Sequence, residues 1–168
     1  MDVFDFALKM EVAGEKYYRD QAERVKHDDL KIVLEGLADD EQRHYKIIQS
    51  VQNQTIKYIE SNPSLNKTQN VFAGNKNKEI VANREEFIAK LKDEQSDVYR
   101  AALVKEKESV ELYKKLQEDS KKPAERMIFE KLMHEEEKHV EVLDTIIEML
   151  NHVNDWVEAA EFNHQDKY

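Results

Sequence analysis

The sequence predicts an all-α protein: a four-helix bundle of two antiparallel hairpins joined by a long crossover, with a short C-terminal helix. Three observations lead to this fold class. The 168 residues include only 3 Gly and 2 Pro, while 37% are charged, and such a composition favours long helices over sheets. One residue pattern occurs twice along the chain, which indicates two similar halves. A long polar segment separates the halves, whereas each half contains only a short turn.

The first hairpin is predicted from apolar residues that recur at helical spacing. They mark one helix over about 2–25 and a second over about 29–60, with a short turn between them. Asp28 and Asp29 suit the start of the second helix, either as caps or as charges that oppose the positive end of the helix dipole. The Ser-Asn-Pro sequence at 61–63 is expected to end this helix.

The crossover is predicted from the composition of residues about 62–82, which are rich in Asn, Ser and Lys. A local cap at Asn83 then suggests a short helical segment. The second hairpin follows, with one helix over about 95–119 and another over about 123–151. A long connection lets the first of these helices start at the far end of the bundle, parallel to the second helix of the first hairpin.

The C-terminal part is predicted to add one short helix around Trp156–Phe162. We therefore divide the chain into a bundle domain over 1–152 and a short helix and tail over 153–168.

The repeated pattern is a Glu-x-x-His motif, found at 41–44 and again at 136–139, 95 residues further along. Positions i and i+3 of a helix share a face, so each motif directs a carboxylate and an imidazole toward one point. A further Glu precedes each motif by thirty residues. The six candidate metal ligands are Glu11, Glu41, His44, Glu106, Glu136 and His139.

Helix geometry predicts that these six side chains lie at one height. At roughly 1.5 Å rise per residue, the carboxylates of each hairpin lie some 21–24 Å from its turn. Carboxylates and imidazoles are ligands that suit Fe(II), Fe(III) or Mn(II), and four Glu would balance the charge of two divalent ions. Without metal, such buried carboxylates should be partly protonated.

Three neighbouring carboxylates, Glu15, Glu108 and Glu111, stay open as alternative ligands because they lie within two turns of the preferred residues. A third Glu-x-x-His sequence occurs at 161–164. No Glu precedes it by thirty residues, so we place it at the surface.

Several residues are expected to lie next to the candidate ligands without binding metal themselves. Tyr18 and Tyr113 each lie seven residues after a candidate Glu, on the same helix face. They form either ordinary aromatic core or a hydrogen-bonding or radical-forming pair that supports catalysis. Asp40 and Glu135 directly precede the motifs and could orient an imidazole, although surface charge is equally expected for Glu135. His27 has no counterpart in the repeat and is expected to be solvated.

Composition excludes several classes of site and partner. The absence of Cys excludes disulfides, thiolate zinc sites and a rubredoxin-type iron site. The net charge of −10 argues against nucleic acid as a partner. No apolar run approaches the roughly 18–20 residues that a membrane span needs, and the first residues lack the basic region of a signal peptide. A cytoplasmic protein is therefore expected.

The chain resembles the rubrerythrin branch of the ferritin-like superfamily over nearly all of Val3–Leu150. The segments that carry the resemblance are Ala7-Leu8-Lys9-Met10-Glu11, Asp40-Glu41-Gln42-Arg43-His44, Ala102–Ser109 and Glu136-Glu137-Lys138-His139. The resemblance implies two iron ions held by the six candidate ligands, with Mn or Zn as substitutes. It also implies an oxidoreductase of the peroxidase or ferroxidase type that reduces hydrogen peroxide or dioxygen in oxidative-stress defence.

Two departures qualify this resemblance. Rubrerythrin carries a rubredoxin domain for electron delivery, and a chain without Cys must instead use a separate donor, such as a rubredoxin-like protein, or the Fe(II) substrate itself. Rubrerythrin also has an extra carboxylate where this chain has Ser109, so the iron movement driven by peroxide in that family is in doubt here. We expect a homodimer. The alternatives are an iron-binding or iron-storage protein without efficient turnover and, less favoured, a structural bundle that has lost its metal.

Overall fold

The structure is a computed structural model that describes residues 2–54 and 84–165. These two ranges contain five α-helices and no strand, which confirms the predicted all-α fold. The crossover predicted at about 62–82 lies outside the described residues. None of the described helices is both long enough and apolar enough to cross a membrane.

The first hairpin consists of α1 (Val3–Arg24) and α2 (Asp28–Gln52). Asp2 caps α1 by accepting a hydrogen bond from the backbone N–H of Phe4. His27 caps α2, since its Nδ1 accepts from the backbone N–H of Leu30 at 3.4 Å. The prediction that His27 is solvated was therefore wrong: the side chain is buried because it occupies the cap position.

Asp28 and Asp29 lie in the first turn of α2, beyond the cap. Of the two roles predicted for them, charge opposite the helix dipole is therefore the one that the structure supports.

The end of α2 comes earlier than predicted. The helix ends at Gln52, and Gln54 adopts a left-handed backbone conformation with φ 57°. Asn53 and Gln54 form a turn at the end of the helix, where their backbone N–H groups donate to the carbonyls of Gln49 and Val51. The rest of the predicted helix, residues 55–60, lies outside the described part of the chain.

The second half begins with the short helix α3 (Arg84–Leu91), at the place where a local cap was predicted. The second hairpin follows as α4 (Ser96–Asp119) and α5 (Pro123–Gln165). Residues 156–162 are helical as predicted, but they continue α5 without a break instead of forming a separate helix. The reason is visible in the sequence, which contains no Gly or Pro after Pro123.

Two apolar cores lie at opposite ends of the bundle. Core A, beside the turn between α1 and α2, includes Leu30, Leu34, Tyr99, Leu143, Ile146 and Leu150. Core B, beside the turn between α4 and α5, includes Ala7, Ile48, Val51, Leu116, Phe129 and Leu132. Polar residues occupy the level between the two cores, where the candidate ligands lie.

The cores also fix the direction of the helices. α2 begins at core A with Leu30 and ends at core B with Val51. α4 runs the same way, from Tyr99 in core A to Leu116 in core B. The helices α2 and α4 are thus parallel, as the predicted crossover topology requires, while each hairpin is antiparallel.

Candidate metal centre

The polar layer between the cores contains all six candidate ligands. α1 contributes Glu11 and α4 contributes Glu106, while α2 and α5 each contribute a Glu and a His. None of these residues is more than 4% exposed: Glu11, Glu41, His44, Glu106, Glu136 and His139. Because every ligand-bearing position falls on a bundle-facing helix stripe, the four helices bring the six groups together in the interior.

The six side chains form two overlapping groups of potential ligand atoms. In each group, the atoms lie within 4.8 Å of one another. Glu41 and Glu136 belong to both groups. The first position, which we call M1, adds Glu11 and His44, and the second position, M2, adds Glu106 and His139. This is the arrangement that two ions bridged by two shared carboxylates would need.

Both imidazoles direct Nδ1 at carboxylates. At M1, the Nδ1 atom of His44 lies 3.1 Å from Glu136 Oε1 and 3.5 Å from Glu11 Oε2. At M2, the Nδ1 atom of His139 lies 3.1 Å from both Glu41 Oε1 and Glu136 Oε2. Nδ1 is therefore the nitrogen that each His offers to a metal.

Several of these inward atoms are short of hydrogen bonds. Among the described residues, four inner atoms are buried without a hydrogen-bond partner: Glu11 Oε2, Glu41 Oε1, Glu136 Oε2 and His139 Nδ1. Buried polar atoms in that state are costly unless something else satisfies them. Divalent cations would do so, and the oxygen and imidazole donors suit iron, manganese or zinc.

The comparison with protein families agrees with this geometry. The rubrerythrin family model matches residues 2–147. This chain belongs to the rubrerythrin family. No curated protein and no solved structure showed a significant match to it. Membership implies a di-iron site, and the buried Glu and His cluster lies within the matched residues.

The two predicted tyrosines are buried beside the ligands. Tyr18 of α1 donates a hydrogen bond to Glu106 Oε1 of α4, and Tyr113 of α4 donates one to Glu11 Oε1 of α1. Each hydroxyl thus supports the carboxylate that the opposite hairpin offers to one metal position. Both rings also pack in the apolar cores, Tyr18 in core A and Tyr113 in core B, so each tyrosine combines aromatic packing with a hydrogen bond at this rubrerythrin-family centre.

Asp40 and Glu135 differ in what they contact. The Oδ2 atom of Asp40 lies 3.0 Å from His139 Nε2, and its other oxygen forms an ion pair with Arg43. Glu135 is also buried, although surface charge was an equal prediction, and it accepts a hydrogen bond from Lys138 at 3.3 Å. Asp40 therefore orients an imidazole of the opposite hairpin, while Glu135 contacts its own helix.

Burial and neighbouring charges shift the pKa values of several ligands in this rubrerythrin-family site. Burial raises the pKa of Glu41 well above its ordinary value, and the charge of Glu136 adds to this. Burial and the nearby Glu106 raise the pKa of Glu136 itself to about 7. Burial alone would lower the pKa of His44, but Glu136 and Glu11 outweigh it and raise that pKa to about 9. These pKa shifts favour a partly protonated centre when no metal is bound.

The alternative ligands lie on the outside of the bundle. Glu15 pairs with Arg19 at 3.2 Å and Glu108 pairs with Lys105 at 3.1 Å. Glu111 is exposed, and so is Glu161 of the tail motif. The structure thus brings together the six preferred residues and none of these four.

One residue of the site was missed from the sequence. Gly14 lies one turn after Glu11, and a Cβ atom built there would lie 3.2 Å from Glu41 Oε2 and 3.3 Å from its Cδ. A larger residue would therefore crowd a shared carboxylate. The sequence did hint at this role. Gly is rare in this chain, and Gly14 lies inside a predicted helix, one turn from the candidate ligand Glu11.

Ser109 occupies the equivalent place in the second half, where rubrerythrin has an extra carboxylate. It is buried, and its hydroxyl donates to the backbone carbonyl of Lys105 at 3.2 Å. It therefore adds no ligand charge to the centre.

Proposed function

We propose that this protein is a di-iron oxidoreductase that reduces hydrogen peroxide or dioxygen, of the peroxidase or ferroxidase type. The observation that carries the proposal is the pair of overlapping buried ligand groups that share Glu41 and Glu136. Two bound Fe(II) ions would each supply one electron, which together with two protons converts one peroxide into two waters.

The ligands of this chain have distinct tasks in that reaction. Glu11 and His44 would hold the ion at M1, while Glu106 and His139 would hold the ion at M2. The two shared carboxylates would span both ions, and four Glu would balance the charge of a di-ferrous pair. A change of charge at the metals could then be met by movement of the carboxylate oxygens that have no hydrogen-bond partner among the described residues: Glu11 Oε2, Glu41 Oε1 and Glu136 Oε2.

The surroundings of the site favour a small oxidant. Cores A and B cover the ligand layer from both ends with aliphatic and aromatic side chains. Tyr18 and Tyr113 fill the level beside the carboxylates. A bulky substrate would have to displace buried residues, whereas peroxide or dioxygen would not.

The source of electrons must lie outside this sequence or in its substrate. Because the chain has no Cys, it has no rubredoxin-type iron site. We therefore propose a separate donor, such as a rubredoxin-like protein, for a peroxidase cycle. The expected homodimer and the cytoplasmic location stay predictions.

Ser109 favours one second candidate, an iron-binding or iron-storage protein without efficient turnover. The extra carboxylate of rubrerythrin would assist an iron shift, and a serine whose hydroxyl is bound to its own helix does not replace it. This candidate keeps the same six ligands but predicts slow reaction with both oxidants.

Stopped-flow absorption separates the two candidates. Protein loaded anaerobically with two equivalents of Fe(II) is mixed with peroxide or with dioxygen, and ferric absorption is followed. Oxidation within about a second, at one peroxide per two Fe(II), supports the oxidoreductase. Oxidation no faster than that of Fe(II) mixed with the Glu136→Ala variant would support storage or simple binding.

A further inference from the structure

The outward nitrogens of the two imidazoles have different surroundings. His139 Nε2 lies 3.0 Å from a carboxylate oxygen of Asp40. His44 Nε2 is equally buried, yet it has no hydrogen-bond partner in the part of the chain that the structure describes. The two halves thus present the same ligand atom, Nδ1, but support it unequally.

The repeat itself shows which partner M1 lacks. Asp40 directly precedes the first motif, and Glu135 is its counterpart before the second motif. One oxygen of Glu135 accepts from Lys138, and its other oxygen is buried without a partner. No hydrogen bond or ion pair joins Glu135 to His44 within residues 2–54 and 84–165, so the second carboxylate–imidazole pair is not formed.

A carboxylate behind an imidazole strengthens that imidazole as a metal ligand. When Asp40 accepts a hydrogen bond from the Nε2–H of His139, it fixes the tautomer that leaves a lone pair on Nδ1. The same hydrogen bond makes Nδ1 more basic. The ion pair with Arg43 holds Asp40 in place. His139 is therefore oriented before metal arrives, whereas His44 depends on inward contacts alone.

We infer that the two metal positions are unequal: M2, between Glu106 and His139, binds a divalent cation first and more tightly than M1, between Glu11 and His44. Asp40 is the positioning residue that creates the difference. The inference rests on the proposed metal site. It adds that M2 is loaded before M1 and that the ion at M1 is the more easily lost.

A titration with Co(II) tests this order. Metal-free protein is titrated with Co(II) alone, followed by visible absorption and by calorimetry. We expect two steps whose dissociation constants differ by about tenfold or more, because loss of such an outer partner typically costs 10–100-fold in affinity. Asp40→Ala should weaken the tighter step by that factor and bring the two steps together. Asp40→Asn keeps an acceptor oxygen and should recover part of the loss.

Glu135→Ala is the matched control, since it removes the buried carboxylate at the equivalent place in the other half. Both Co(II) steps should keep their affinities in this variant. Circular dichroism establishes that each variant is folded. Two steps of equal affinity in the natural sequence, or equal weakening by Asp40→Ala and Glu135→Ala, would overturn the inference.

A measurement on the unaltered protein gives an independent answer. In the Zn(II)-loaded, ring-¹⁵N-labelled protein, one imidazole Nε2–H should exchange slowly with solvent, and it should belong to His139. Equal protection of both imidazole protons, or protection of His44 alone, contradicts the inference. A protein that binds neither Co(II) nor Zn(II) in its interior would instead disprove the proposed function.

Discussion

The two hairpins of the bundle offer the same ligands but support them differently. Tyr18 of the first hairpin binds Glu106, and Tyr113 of the second binds Glu11, so the tyrosines form a reciprocal pair. The histidines break this symmetry, because only His139 has a carboxylate behind it. The glycine beside Glu41 also has no equivalent, since Ser109 occupies the matching position.

This difference shows which parts of the repeat are constrained by the metal site. Atoms that would touch metal are the same in both halves, and so are the hydroxyls that hold the outer carboxylates. Residues one step further away, Asp40 against Glu135 and Gly14 against Ser109, differ in size and in the contacts they make. A duplicated scaffold can therefore keep one chemistry at its centre while its two metal positions become unequal.

The largest effect is expected from removing a shared carboxylate. Glu136→Ala should abolish stoichiometric binding at both positions, because this side chain belongs to both ligand groups. Glu11→Ala should remove one ion only, as Glu11 belongs to M1 alone. Metal analysis after reconstitution measures the stoichiometry, with Glu161→Ala as the surface control. About two ions retained by Glu136→Ala would contradict the shared role.

Removal of the metals should destabilise both hairpins together. Binding at a thousandfold excess over the dissociation constant contributes about 4 kcal/mol to the free energy of unfolding. For a domain of this size that corresponds to a fall in melting temperature of about 8–16 °C on chelation. The chelator should have little effect on Glu136→Ala. An unchanged melting curve after verified metal loss would show that the ions do not tie the helices together.

Metal affinity should rise with pH. His44, with its pKa raised to about 9, and Glu136, with its pKa raised to about 7, hold protons below those values, and a metal ion must displace them. Because the pKa of Glu41 is raised as well, affinity for Co(II) should increase at least about a hundredfold per pH unit below pH 7 and at least about tenfold per unit between pH 7 and 9. Calorimetry in buffers of different ionisation enthalpy counts the released protons. Affinity independent of pH from 6 to 8 would contradict this protonation.

The tyrosines provide the test of symmetry. Tyr18→Phe and Tyr113→Phe each remove one hydrogen bond to an outer carboxylate, which is worth about 1.5–3 kcal/mol for a charged acceptor. Each variant should weaken the position whose Glu it touches by about 10- to 100-fold, and by similar factors. If one variant had a large effect and the other none, the reciprocal arrangement would be wrong.

The smallest effect is expected from two glycine substitutions. Gly14→Ala and Gly36→Ala should gain about 1 kcal/mol each from helix propensity. No atom lies within 4 Å of a Cβ at Gly36, whereas one at Gly14 lies 3.2 Å from Glu41 Oε2. Gly36→Ala should therefore raise the melting temperature without changing Co(II) affinity. Gly14→Ala should lower that affinity several-fold, and equal behaviour of both variants would show that Glu41 is not crowded.

The main features of the fold and the site could be predicted from the sequence because they repeat. The offset of 95 residues linked Glu41 and His44 to Glu136 and His139, and helix periodicity set all of them on inward faces. A Glu lies thirty residues before each motif, Glu11 before Glu41 and Glu106 before Glu136. The neighbouring Glu15 has no such counterpart in the second half. Long segments with few Gly and Pro left few alternatives for the four main elements.

Features that depend on contacts between helices could not be predicted in this way. Asp40 of α2 contacts His139 of α5, whereas no equivalent contact reaches His44 Nε2 among the described residues. Both observations depend on how side chains of different helices are placed. His27 was misjudged because its role is a local cap, which the repeat does not encode. α5 continues past residue 152, where a boundary was predicted, because no Gly or Pro interrupts it.

Anomalous diffraction at the iron edge, on crystals reconstituted with Fe(II), locates the metals directly. Two peaks are expected inside the bundle, one about 2.0–2.2 Å from Nδ1 of His44 and one at that distance from Nδ1 of His139. Both peaks should lie beside Glu41 and Glu136. Peaks only at surface carboxylates such as Glu15 or Glu108, with none between these residues, would contradict it.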